Sequence, residues 1–207
     1  MEKSTASHSD TGRLRGRPRE FDIDDALDGA IRVFRERGYN ATSIGDLTVA
    51  MGLASGSIYK AFKDKREVFL AAFDRYTSLR NDQVGQVVRS TKSARERLRD
   101  VLAFYIESSR GVEGRRGCLV VGSAVELAIV DREVAARVGG ALARNEAMLA
   151  DLIRQGHGDK SVPAQIDPEE TARVMVYLTQ GMRVVGRAGR SPPDPSAVID
   201  LAMKLLA

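Results

Sequence analysis

The sequence predicts an all-α protein with a small N-terminal head of three helices and a larger helical body. Apolar residues recur at helical spacing through almost all of the chain after residue 21. No stretch carries the period-2 alternation of a half-buried strand worth assigning. Thr42 to Phe62 also reads as two short helices joined by a tight glycine turn, a helix-turn-helix.

Residues 1–20 are rich in Ser, Thr, Gly and Arg with almost nothing apolar, so they are expected to form a disordered basic arm. The first helix starts at Asp22, a capping carboxylate, with Asp24 and Asp25 complementing the positive end of the dipole. Ile23, Ala26, Leu27, Ala30, Ile31 and Phe34 form its apolar stripe, and Gly38 stops it. Thr42 or Ser43 caps the next helix, on which Ile44, Leu47 and Met51 share a face before the break at Gly52. Ser55 is expected to cap a second short helix with Ile58 and Phe62 turned inward. Gly56, Ser57, Tyr59 and Lys60 are left on the outer face. Asp64 and Glu67 form a capping box opening a helix that carries Phe69, Ala72, Phe73 and Tyr76 and runs to about Arg89.

The body continues in the same manner. Ser93 and Glu96 form a second capping box, a polar loop from Gly111 to Gly117 follows, and a helix is expected from Cys118 to Ile129. Asp131 caps a long helix ending near Gln155. Asp167-Pro168-Glu169-Glu170 is a strong helix start, with a cap, a first-turn proline and an acid at the third position. Ser191 to Pro195 breaks the chain before a last helix from Asp194 to Leu206. The organisation read from this is an arm at 1–20, a helix-turn-helix domain at 21–66 and a helical body at 67–207, to which the resemblance described below assigns ligand binding and dimerisation.

Composition narrows the function. At 207 residues, with 43% hydrophobic and 29% charged content, the chain is long and apolar enough for a sizeable core. A net charge of +4 is small for a nucleic-acid binder, so DNA affinity must come from local positive clusters. One cysteine excludes an intrachain disulfide and suits a reducing compartment. The N-terminus has arginines but no apolar core of a signal peptide, and the apolar stretch from Cys118 to Val130 is too short to span a bilayer. With only His8 and His157 and no hydrolase, nucleotide-binding or metal motif, no enzyme chemistry, cofactor or metal is expected.

From Arg17 to Tyr76 the chain resembles the DNA-binding domain of the tetracycline-repressor (TetR/AcrR) family of bacterial transcription regulators. The resemblance rests on Ala30-x-x-x-Phe34, Gly38-Tyr39-x-Ala41-Thr42-Ser43, Ala50-Met51-Gly52-Leu53, Gly56-Ser57-Ile58-Tyr59-x-x-Phe62, and Lys65 with Glu67 and Phe69. Thr48 departs from the alanine usual there. The resemblance implies a homodimeric, ligand-responsive regulator of the bacterial cytoplasm, more often a repressor, that binds a palindrome in double-stranded DNA. It implies that Thr42, Tyr59 and Lys65 contact phosphates. Gly56, Ser57 and Lys60 are the groove-facing candidates, with Lys60 either a donor to guanine or another phosphate contact. Tyr59 can equally be a half-buried aromatic packed on the first helix.

Arg15-Gly16-Arg17-Pro18-Arg19 resembles an AT-hook, a segment suited to the narrow, strongly negative minor groove of A·T-rich DNA. The alternative for Arg15, Arg17 and Arg19 is a solvated tail adding non-specific attraction. The resemblance also places a small-molecule pocket among the body helices and a dimer interface on the last two, which are apolar over more than one face. Phe104, Tyr105, Glu126, Met148, Met175, Tyr177 and Gln180 are the pocket candidates. Glu126 is expected to pair with an arginine or to face a pocket favouring a cation. Cys118, close to Arg115 and Arg116, is either a redox sensor or a small buried hydrophobe. The rival to a regulator is an architectural protein that coats DNA with little sequence preference.

Overall fold

The computed structural model describes residues 22–207, which form ten α-helices and one 3₁₀ turn with no strand among them. The head comprises α1 (Ile23–Arg37), α2 (Ile44–Met51) and α3 (Ser55–Ala61). The connecting helix α4 spans Lys65–Val88. The body adds α5 (Ala94–Glu107), α6 (Gly111–Arg116), α7 (Leu119–Glu126), α8 (Arg132–Gly158), α9 (Pro168–Arg187) and α10 (Pro195–Ala202), with Met203–Leu206 as the 3₁₀ turn.

Side-chain caps at Asp22, Ser43, Asp64, Ser93, Asp131, Asp167 and Asp194 accept from first-turn amides, as the sequence predicts. At Ser43 and Ser93 both halves of a capping box are made. At Asp64 only half is made, because the Glu67 carboxylate reaches past the cap and accepts from the Lys63 amide at 2.7 Å. Ser55 is the first helical residue of α3 and not its cap; Ala54 stands there and offers no side-chain acceptor.

The segment from Gly111 to Gly117 is not a loop. It forms α6, held by close packing rather than by propensity: a Cβ on Gly114 would lie 2.2 Å from the Ser109 carbonyl oxygen. The α7 helix stops at Glu126 instead of Ile129, since Val125, Ile129 and Val130 are exposed and have no surface to pack on. The α8 helix continues past Gln155 to Gly158, with Gly156 pressed against Val162. The final helix tightens to 3₁₀ at Met203.

Two apolar cores result. The first joins α1, α2, α3 and the start of α4 to α7 and the first half of α8, around Phe34, Phe69 and Phe73. The second lies among the end of α4, α5, the second half of α8, α9 and α10, around Leu98, Leu102, Ile153 and Met175. The α4 and α8 helices thread both cores, so the head shares its hydrophobic interior with part of the body. Within the head, α1 and α2 cross so closely that a Cβ on Gly29 would lie 2.0 Å from the Ala50 carbonyl oxygen.

Candidate nucleic-acid interface

The turn between α2 and α3 depends on Gly52, which takes φ +64°, the left-handed conformation glycine adopts without steric cost. It lets α3 fold back so that Ile58 is completely buried and Phe62 packs on the head core. The opposite face is open. Gly56, Tyr59 and Lys60 are exposed and Ser57 is partly so. Tyr59 is 53% exposed, so half of its surface is free for an outside partner. A Cβ on Gly56 would meet nothing within 4 Å, so no contact inside the molecule requires glycine there. Thr48 donates its hydroxyl to the Gly45 carbonyl at 2.7 Å, which satisfies the group without disturbing the packing of α2.

Two residues expected at phosphates have intramolecular partners. Thr42 is buried; its hydroxyl donates to the Gly38 carbonyl at 2.6 Å and its amide to the Tyr39 carbonyl at 3.2 Å. It thus secures the turn between α1 and α2 from within. The Lys65 ammonium donates to the Tyr39 and Thr42 carbonyls at 3.0 and 2.9 Å and sits 4.2 Å above the Tyr39 ring. Of its three protons one remains for an outside acceptor. Beside it Asp46 is held below the usual carboxylate range by the Ser43 amide and hydroxyl, with Arg37 at 2.5 Å adding to the effect. The arm residues Arg15, Arg17 and Arg19 lie outside the described residues.

The rear of this surface is tied to the body by bonds that sequence reasoning missed. The Glu126 carboxylate, at the end of α7, accepts from the Tyr39 and Asn40 amides at 2.9 and 2.6 Å. It forms no ion pair with an arginine among the described residues, and the groove it lines also holds Arg35, Arg37, Arg183 and Arg187, side chains that do not favour a cation. Arg187, at the end of α9, donates to the Glu36 carbonyl and to those of Arg115 and Arg116, each at 2.6 Å. Arg35 donates to the Gly117 carbonyl at 2.8 Å, and Arg66 pairs with Asp131 at 2.7 Å. That pairing holds the Asp131 carboxyl well below its ordinary range.

A partly open cavity lies between α4, α5, α7, α8 and α9. Of the pocket candidates it gathers Tyr105 and Gln180, with Cys118 in its wall. Phe104 lies across the Arg80 guanidinium, 4.5 Å from it, and lines an open groove between α4, α5 and α6. Met148 and Met175 belong to the second core, and Tyr177 is exposed on the outer face of α9. The cavity also contains Tyr76, Arg80, Asn145 and Arg183, which the sequence reading did not select. Arg183 had a visible signal, since it falls in register with the buried stripe Ala172, Met175, Val176, Thr179 and Gly186 on α9. Cys118 accepts from the Tyr76 hydroxyl at 3.6 Å and is partly exposed.

A glycine-turned helix pair with a small, polar outer face on a helical body defines a helix-turn-helix DNA-binding regulator. Comparison with known proteins agrees. The bacterial regulatory protein profile of the tetR family matches residues 26–72, and the tetracyclin repressor-like C-terminal domain profile matches residues 94–200. The chain belongs to the tetR family of bacterial regulatory proteins, and its role is transcriptional regulation, not catalysis. It is 29% identical over 180 residues to the HTH-type transcriptional repressor ComR of Escherichia coli (strain K12), covering 86% of each chain. It is 35% identical over 120 residues to the uncharacterized HTH-type transcriptional regulator YezE of Bacillus subtilis (strain 168), covering 58% of this chain and 62% of that one. Among solved structures it is similar to a cysteine-substituted TetR family transcriptional regulator CifR complexed with 26-bp double-strand operator DNA. The TM-score is 0.82 at 29% identity, with 93% of this chain and 100% of that one covered. No helix among the described residues is long and apolar enough to cross a membrane.

Proposed function

We propose that the protein is a cytoplasmic repressor that binds a palindromic operator as a homodimer and leaves it when a small molecule occupies the body. The observation that carries this is the open face of α3, where Gly56, Tyr59 and Lys60 are exposed and Ser57 partly so. In this reading Gly56 lets the helix backbone approach the major groove, Ser57 and Lys60 read base edges, and Tyr59 and the remaining proton of Lys65 hold phosphates. Thr42 serves by fixing the turn that presents them. The Arg15, Arg17 and Arg19 arm adds minor-groove contacts at A·T-rich flanks.

Dimerisation through α9 and α10 is supported by the apolar surface those helices expose. Tyr177, Val184, Val185 and Leu201 are all about half exposed or more, at 65, 55, 49 and 65%. A surface of this kind is the mark of an interaction site. Pairing it with a second copy gives a four-helix interface and sets two α3 helices about 34–36 Å apart, one turn of DNA. A ligand acts by its differential affinity for a body conformation in which that spacing is lost. The bonds from Glu126 and Arg187 to the end of α1, with that from Arg35 of α1 to the Gly117 carbonyl, are the route from body to head.

The test is fluorescence anisotropy on DNA beside the protein's own gene against scrambled DNA, at about 0.05 and 0.2 M salt. Discrimination of about 10³ or more that persists at the higher salt is the expected result. Equal affinities that collapse together with salt would replace this reading with a sequence-tolerant architectural protein.

A further inference from the structure

The partly open cavity between α4, α5, α7, α8 and α9 is cationic. Arg183 is 5% exposed, and Arg80 is partly buried beside it. Neither forms an ion pair with a carboxylate among the described residues. Arg80 donates to Gln83 at 3.1 Å and to the Ser108 hydroxyl at 3.0 Å. Arg183 makes one long bond, 3.5 Å, to the Ser108 carbonyl, and its Nε has no partner. The charged and titratable groups that bear on Arg80 are Arg183, Tyr76, Tyr105 and Cys118, with no acid among them; burial and Arg183 both lower its pKa. Among the described residues every arginine that pairs with a carboxylate keeps at least 10% of its side chain exposed, whereas Arg183 is 5% exposed.

Buried cations without a counter-charge are costly and are relieved by an anion. The other polar groups at the cavity, Asn81, Asn145, Gln180 and the Tyr105 hydroxyl, are all able to donate. The free interior volume is 40 Å³. Since one water needs about 10–15 Å³ on this measure, the space suits about three heavy atoms, the size of a carboxylate head. We propose that this cavity is the effector site and that it takes a small carboxylate anion clasped between Arg80 of α4 and Arg183 of α9. The assignment rests on the regulator reading above and names the chemistry of its ligand. The clasp acts where coupling to DNA needs it: Arg183 precedes by one helical turn the Arg187 that holds the Glu36 carbonyl at the end of α1. An anion that draws Arg80 and Arg183 together moves α9 against α4.

The experiment is a thermal melt of the full chain with sodium propionate, propionamide, sodium chloride or sodium phosphate at matched ionic strength, followed by operator anisotropy on the same samples. Propionate alone is expected to raise the melting temperature, by about 5–11 °C near 100 times its Kd, and to release the operator. Arg183→Met is expected to melt above the wild-type protein without ligand and to lose the propionate response, while Arg183→Lys keeps part of it. Equal shifts with propionamide would show an apolar fit, and equal shifts with chloride or phosphate a general anion site; either overturns the carboxylate assignment. No shift with any probe overturns the site itself, and the wild-type titration decides this whether or not a variant folds. Binding that leaves the operator occupied refutes the effector role. Failure to bind operator under any condition refutes the regulator reading instead, leaving the anion result to stand separately.

Discussion

Replacing Glu126 with alanine removes the carboxylate that receives two backbone amides at the end of α1. Hydrogen bonds to charged groups contribute about 1.5–3 kcal/mol each. The Asn40 amide is exposed, so water takes over there, whereas the Tyr39 amide is partly buried and loses its acceptor. The net loss is therefore near the value of one such bond, about 2 kcal/mol. For a chain of this length that corresponds to about 4–8 °C in melting temperature. If the loss is confined to local opening of the turn, amide exchange around Tyr39 and Asn40 should quicken about 30-fold, because each 1.4 kcal/mol is a factor of ten. Hydrogen exchange resolved over residues 36–43, with calorimetry alongside, is the assay. Glu126→Gln should fall between the two, since its oxygen accepts from one amide while its NH₂ group faces the other. Exchange within twofold of wild type and a melting temperature moved by less than about 1 °C would show that α7 does not anchor the turn.

Gly56→Ala should raise the melting temperature slightly, by up to about 1 kcal/mol of helix propensity, yet weaken operator binding at least about tenfold; unchanged DNA affinity would remove α3 from the groove. Gly29→Ala should destabilise the head by about 1–3 kcal/mol or more in a urea titration, because its Cβ would meet the Ala50 carbonyl oxygen at 2.0 Å. Stability should be level above about pH 5 and fall below about pH 4. Asp131, bonded to Arg66, and Asp28, bonded to Arg75, have lowered pKa values, so the unfolded chain takes up protons first as pH drops. A melting temperature that rises on acidification to pH 3 would contradict that sign.

The elements legible in the sequence were those whose causes are local. A capping carboxylate or hydroxyl acts within three residues, and Asp22, Ser43, Ser93, Asp131, Asp167 and Asp194 all declared their helices this way. The α6 helix was not legible because its cause is distant. Gly114 and Gly186 both close on the Ser109 carbonyl, at 2.2 and 2.1 Å from where a Cβ would stand, and only the folded chain brings them together. The outer face of α3 followed from spacing alone. The partners of Glu126 did not, for they are main-chain amides 87 and 86 residues away and carry no side-chain signature. Arginine is ordinarily a surface residue, which hid Arg80 and Arg183. The register of Arg183 with the buried stripe of α9 outweighs that prior once it is noticed.

Beside side-chain pairs such as Arg66–Asp131 and Arg116–Glu36, four links between body and head end on main chain: Gly117 and Glu36 contribute carbonyls, and Tyr39 and Asn40 contribute amides. A bond to a side chain can be absorbed by rotamer change, whereas a bond to the backbone moves the helix end itself. These main-chain bonds fall on residues 35–40 or on the α6–α7 junction, and Ser43 begins the recognition unit three residues later. The α6 and α9 helices are locked together by the glycines that enclose the Ser109 carbonyl, and Arg187 reaches from α9 to both α6 and α1. A displacement of α9 at Arg183 therefore has little slack in which to dissipate before it reaches the end of α1. In the proposed mechanism the short turn pinned by Thr42 and Lys65 would pass it to α2 and α3 as a change in where the open face points.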